Sequence, residues 1–173
     1  MTNQNAILPA IALRGTTILP GMIVHFDVSR ERSKKAIEAA MLHDQKIFLV
    51  TQIDPEVENP DVSGVYRVGT IGYIKQVVKL PQDILRVLVE GTGRAVLEDF
   101  QQDFPYLTGV ISPVKEEETL LPDTVTEAMY RSLKELFHRY CMENGKVSKE
   151  LVSQILNIES LEELIEQIAV NIP

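Results

Sequence analysis

Cys141 is the only cysteine among the 173 residues, so no disulfide can form within the chain and a reducing compartment is expected. No stretch reaches the roughly 18 consecutive apolar residues that mark a membrane helix. The opening "MTNQNAILPAIALRG" lacks a basic start, and Pro9 and Arg14 interrupt its apolar part, unlike a secretory signal. A cytoplasmic location is therefore expected. Basic charge is also short: 17 Lys and Arg face 25 Asp and Glu, a formal net charge of −8. Phosphate-backbone affinity comes from clustered Lys and Arg, so a general nucleic-acid binder is disfavoured. The imbalance is uneven. Residues 1–112 hold 11 basic and 13 acidic residues, whereas residues 113–173 hold 6 and 12.

Signs of catalysis are equally sparse. "NGKVS" (144–148) has a Gly-Lys pair, but Tyr140 stands where a phosphate-cradling loop needs its first glycine, and no strand precedes it. "GTGRA" (91–95) lacks a third glycine and a following helix, so a bulged strand accounts for it better. His138 and Cys141 share a helix face without a second ligand pair to complete a tetrahedral metal site. There is no G-x-S-x-G elbow and no H-E-x-x-H helix. A chain without catalysis, cofactor or metal is the expectation.

What is present is a well-patterned folding sequence. With 45% hydrophobic and 24% charged residues, the chain lies outside the disordered range. From Ile7 to about Ile111 the apolar runs are short, β-branched and punctuated by Gly and Pro, as in a strand-rich lobe. Ile7–Leu13, Met22–Val28 and Lys46–Gln52 read as strands, the second entered through a Pro20-Gly21 turn. Between the last two, Ser33, Ala36, Ile37, Ala40 and Met41 recur at helical spacing, with Ser29 placed to cap. "IDPEVENPDVSG" (53–64), with Pro55 and Pro60 among acids, reads as an exposed loop. Two long strands flank "PQD" (81–83), and Gly69, Gly72, Gly91 and Gly93 suggest bulges or bends within them.

Beyond "SPVKEEETLLPD" (112–123) the period becomes helical, and the acidic run at Lys115–Glu118 reads as a solvated linker. Asp123 or Thr124 starts a helix whose inward face is expected at Val125, Met129, Leu133, Leu136 and Tyr140, with Gly145 ending it. Ser148 opens a second helix carrying Leu151, Val152, Ile155 and Leu156. Ser160 and Glu163 form a capping box for a third, with Leu161, Leu164, Ile165, Ile168 and Ala169 inward. The chain stops at Ile172-Pro173 directly after this amphipathic segment, an ending expected of a piece of a longer polypeptide.

The order of these segments resembles the N-terminal domain of bacterial Lon-type ATP-dependent proteases. The resemblance rests on Leu8-Pro9, Leu13-Arg14-Gly15, Pro20-Gly21-Met22, Arg30 with Ser33, "IFLVTQIDPE", "YRVGTIGYIKQVVKLP", and Val89-Glu90-Gly91 with Arg94. Each motif is weak alone; their order and spacing carry the likeness, which extends to the closing "ELIEQIAVNIP". Two departures are Ala12, where the family usually has proline, and "LPQDIL", which lacks the glycine common in that hairpin turn.

The resemblance implies an α+β fold: a β-rich, PUA-like pseudo-barrel lobe with one helix (residues 1–114), then a helical subdomain (residues 115–173). It implies a non-catalytic domain that selects unfolded, damaged or short-lived regulatory proteins and supports assembly of a homohexamer. ATP and magnesium would belong to the parent's ATPase module, and the Ser-Lys peptidase would also lie outside this chain. Contact residues are expected in two apolar turns, Leu19, Pro20 and Met22 in one and Leu80, Pro81 and Ile84 in the other, although packing under their own loops is for each the somewhat stronger reading. A stand-alone PUA-like module binding RNA or a small ligand is the competing function. It would draw on Arg30, Arg32, Lys34 and Lys35, whose helical spacing instead favours a solvated helix start.

Overall fold

The computed structural model describes residues 5–114, 123–145 and 147–172. The chain divides into two compact units, Met1–Lys115 and Glu116–Pro173. The Lys115–Glu118 run, and with it the expected boundary segment, lies outside the described residues.

The first unit contains β1 (Ala6–Leu13), β2 (Ile23–Val28), α1 (Glu31–Met41), β3 (Lys46–Thr51), β4 (Val68–Leu80), β5 (Ile84–Gln102) and β6 (Leu107–Pro113). The sheet runs β2-β5-β4-β3-β1-β6, and a further β5–β6 pairing closes it on itself. Closure depends on the 19-residue β5, which serves two neighbourhoods. Its first half, Leu85–Glu90, pairs with β2, and its second half, Ala95–Gln102, pairs with β6. One parallel pairing, β1 with β3, breaks an otherwise antiparallel sheet. Strand β6 pairs with β1 only over Ala6–Ala10, the end of β1 pairing with β3 alone, and β2, paired only with β5, lies outside the closed circuit.

Side-chain alternation in β1 and β3 divides the apolar residues between two cores. Ile11, Leu13, Ile47 and Leu49 meet Ile37 and Ala40 of α1 together with Ile74, Val87 and Val89. Ala10, Ala12, Phe48 and Val50 meet Ala95, Leu97, Leu107 and Ile111 on the other face.

The bends arise differently from the expectation. The extra residues are not the glycines: the β4–β5 register slips at Thr92, between Gly91 and Gly93, and again at Lys75, which is flanked by Ile74 and Gln76. Gly69 is needed for space, because a Cβ there would stand 2.5 Å from the Phe48 ring and 2.6 Å from the Leu49 carbonyl. At "PQD", Gln82 and Asp83 both take positive φ, 62° and 59°, a region that favours glycine. The helix start is also corrected. Arg30, not Ser29, is the N-cap of α1 and gives no side-chain cap, while Met41 is exposed and Lys34 is buried on the helix's inner face.

The second unit is a three-helix arrangement of α2 (Asp123–Asn144), α3 (Lys149–Leu156) and α4 (Leu161–Asn171). Its caps follow the sequence. Ser148 accepts the Leu151 N–H, Ser160 accepts the Glu163 N–H, and Gly145, at φ 58°, donates back to the Cys141 carbonyl. The return bond of the capping box is replaced, since the Ser160 hydroxyl donates to Glu162. The core consists of Phe137, Cys141, Ile155, Leu164 and Ile168, with Tyr130, Leu133 and Tyr140 against it. The packed stripe of α2 is thus rotated from the expected one, and Val125, Met129 and Leu136 are exposed. Phe137 faces inward among Ile155, Leu164 and Ile168 of α3 and α4, where its ring buries more apolar area than Leu136 would. Ile165 and Ala169 of α4 are likewise exposed, because Leu164 and Ile168 take the inward positions.

Candidate functional site

The first expected contact turn is stitched down. Thr70 Oγ1 donates to the Ile18 carbonyl at 2.6 Å from within the core. Gly21 N–H donates to Gly91 O and Gly91 N–H to Met22 O, each at 2.9 Å. Leu19 N–H points at Met22 Sδ, 3.2 Å away. These bonds hold Pro20 buried and Leu19 and Met22 half-buried, with Met22 packed against the α1-side core. The turn therefore presents less apolar surface than its composition promised. Its neighbour Ile23 presents more, at 63% exposure.

The second turn is anchored by charge. Leu80 pairs with Ile84 across the hairpin, both half-buried, and Pro81 is exposed at the tip. Asp83 meets the buried Lys34 of α1, which also bonds Glu31 at 2.6 Å. The Lys34 hydrogen bond, more than that of Lys79, holds the Asp83 carboxyl below its usual range, and Asp83 in turn raises the Lys34 ammonium. The two expected turns are not one patch. Met22 sits beside Gly91 and Val28 opposite Leu85, so they flank β2 at its two ends, about 20 Å apart along a strand at about 3.4 Å per residue.

Between these ends lies a groove of about 410 Å³. Ile11, Leu13 and Ile18 form one side and Val24, Phe26 and Val28 the other, with Arg14, His25, Asp27 and Arg30 at the margins. No β5 residue lines it, so it runs along the side of β2 that β5 leaves free. Asp27 is engaged across the sheet by Arg86, at 2.7 and 2.8 Å, and that bond lowers its pKa. The outward face of β2 is Ile23, His25 and Asp27, an apolar residue heading an otherwise polar alternation. The sequence reading passed over Ile23; the only signal was this misplaced member of a period-two pattern.

The basic cluster has a different task from the solvated one expected. Arg14 reaches the Val57 carbonyl, Arg30 the Glu58 carbonyl at 3.1 Å, and Arg32 the Asn59 amide oxygen at 3.0 Å, so three guanidiniums clasp the acidic loop. Buried Gln52 completes the clasp, accepting from Arg30 at 2.8 Å and donating to Asp54 and Val57 carbonyls. Burial, and next the neighbouring Arg14, make the Arg30 guanidinium more acidic than usual. The positive charge an RNA reading would use is largely committed within the fold.

Other chemistry finds little support in the arrangement. Among the described residues no group of three or more His, Cys, Asp or Glu could hold a metal ion. The Cys141 thiol is buried, which raises its pKa and suppresses the reactive thiolate. The carboxyls with displaced pKa values, Asp27, Asp61 and Asp83, are all lowered, opposite to what a general acid needs. No helix among the described residues is long and apolar enough to cross a membrane.

Comparison with known proteins gives a consistent picture. Residues 7–173 match the family described as the ATP-dependent protease La (LON) substrate-binding domain. The chain is 43% identical over 173 residues to the Lon protease of Lachnoclostridium phytofermentans, covering 100% of this chain and 21% of that protein. It is 36% identical over 166 residues to Lon protease 1 of Bacillus subtilis, covering 96% of this chain and 21% of that one. The chain thus spans about a fifth of the length of the curated relatives it matches. Among solved structures, the N-terminal domain of Mycobacterium avium complex Lon protease superposes with a TM-score of 0.58 at 18% identity, covering 96% of this chain and 100% of that one. The Lon N-terminal domain protein from Xanthomonas campestris gives 0.54 at 18% identity, covering 97% and 99%. Both show a shared fold.

Proposed function

The chain belongs to the Lon substrate-binding domain family, and on that premise we propose that it takes hold of unfolded or damaged polypeptide on behalf of an ATP-dependent protease. The observation that carries this reading is the apolar groove beside β2, the strand that begins at the exposed Ile23. Unfolded chains share exposed apolar side chains rather than a sequence, and an open groove with a polar margin suits them. Leu19 and Met22 would extend its apolar surface at one end, and Leu80, Pro81 and Ile84 would do so at the other, with Pro20 shaping the turn from beneath. The β-rich unit is read as PUA-like.

Catalysis, ATP and magnesium would belong to other modules of a full-length protease, assembled as a homohexamer in the cytoplasm. The three-helix unit would serve assembly through the exposed Val125, Met129 and Leu136. Fluorescence anisotropy tests the reading. Labelled, reduced and carboxymethylated lactalbumin should bind the chain, and native lactalbumin should not. Indifference to both forms would refute it.

A further inference from the structure

The groove has a property beyond apolarity: one of its walls is an unpaired strand edge. The Gly91 N–H to Met22 C=O bond sets the phase of the antiparallel ladder, so that Val24, Phe26 and Val28 exchange bonds with β5. The backbone N–H and C=O groups of Ile23, His25 and Asp27 then point to the other edge, where no strand pairs with them among the described residues. Proteins usually guard such an edge with lysine, proline, a bulge or a covering element. Strand β2 has no lysine or proline, and its register with β5 is unbroken from Ile23 to Val28. The one charged side chain on its outward face, Asp27, is neutralised by Arg86. An open, undefended edge beside an apolar floor is a template for a further strand.

We infer that an extended polypeptide segment pairs with the outer edge of β2 and lays alternate side chains into the groove against Ile18, Val24 and Phe26. This rests on the reading that the chain binds unfolded polypeptide, and names how it does so. Backbone pairing gives affinity without sequence, which an unfolded client requires, and the groove selects only every second residue. Charge adds a preference. Arg14 and Arg30 spend their N–H donors on the loop but keep their formal charge at the groove wall, so Lys or Arg in a bound segment is disfavoured there relative to an acidic residue.

The test uses a ten-residue peptide alternating valine and serine with one glutamate, beside two versions N-methylated at complementary alternate positions. One methylated phase should bind at least tenfold more weakly than the parent peptide, and the other should keep most of its affinity. Hydrogen exchange on the bound wild-type chain should show new protection at the amides of Ile23, His25 and Asp27. His25→Pro removes an outward N–H while leaving the inward ladder intact, and should also weaken binding at least tenfold with an unchanged circular dichroism spectrum. If that variant misfolds, the methylated peptides and exchange data on the wild type still decide. Carboxymethylated lactalbumin binding with both methylated peptides equal to the parent and no protection at the three amides would overturn strand addition while leaving the proposed function standing. Failure of the wild type to bind lactalbumin at all would bring down both. Edge pairing between two copies of the chain, seen as a dimer by light scattering that the peptide does not dissociate, would also overturn the inference.

Discussion

Replacing Gly91 with alanine isolates the physics of the stitched turn. A Cβ at Gly91 would sit 2.3 Å from the Leu19 carbonyl oxygen, 3.0 Å from its carbon and 3.2 Å from Thr70 Cγ2. Comfortable separations are about 3.5 Å, so the turn must lift by about 1 Å. That displacement strains the two Gly91 bonds at 2.9 Å and the Thr70–Ile18 bond at 2.6 Å. Losing two of them costs about 2 kcal/mol and overpacking about 1–3 kcal/mol more, offset by about 0.5–1 kcal/mol from a stiffer unfolded chain. Gly91→Ala should therefore destabilise by about 2–4 kcal/mol in urea unfolding followed by circular dichroism. Gly93→Ala is the control two residues away. Nothing lies within 4 Å of its Cβ position, so its effect should be nil or slightly stabilising. Thr70→Val should cost about 1–3 kcal/mol by orphaning the Ile18 carbonyl, and the double variant should fall short of the sum because both changes release one turn. If Gly91→Ala matched Gly93→Ala, the turn would not be held as described.

Further outcomes follow from other parts of the fold. Gln82→Gly should stabilise by about 0.5–1 kcal/mol in the same assay, since Gln82 sits at φ 62° where a side chain is strained; a loss of stability would contradict this. Leu164→Ala should cost about 3 kcal/mol and melt the three-helix unit first, because the fully buried Leu164 belongs to a core of only five buried residues. Asp27 and Asp83 have folded pKa values below the unfolded value of about 3.9, so their stabilisation is complete above that pH and is lost as pH falls through the folded values. Urea midpoints between about pH 5 and pH 2 should therefore decline less steeply for Asp83→Asn than for wild type, and parallel curves would count against the Lys34 ion pair.

Much of this was legible because it is local. Ser148, Ser160 and Gly145 act through neighbours within four residues, and each occupies the helix-end position read from the sequence. Strands β1 to β5 and the α+β class followed from period and punctuation, whereas β6 was not singled out. Other features depend on partners far along the chain. Lys34 reads as one of a solvated basic group, yet it is buried, and the exposed Asp83, 49 residues later, receives it in an ion pair. Arg30 and Arg32 read as part of the same solvated helix start, yet the Glu58 carbonyl and the Asn59 amide oxygen, 28 and 27 residues later, receive them. The α2 stripe failed for a related reason: Leu136 and Phe137 are both apolar, and only α3 and α4 decide which faces inward.

The candidate site divides along the same line. Apolar content in "TILPGM" and "LPQDIL" is a property of composition, and it singles out two turns. Their burial, their separation by the length of β2, and the open edge between them are properties of strand order. Sequence alone determined the family, the number of secondary elements near enough, and the local caps, because short-range sterics and hydrogen bonds need only adjacent residues. Tertiary structure alone decided which apolar side chains were left over, because exposure is what remains after distant segments have paired. That is why Ile23, an ordinary member of an alternating strand, stands exposed, while Pro20, conspicuous in its turn, is buried.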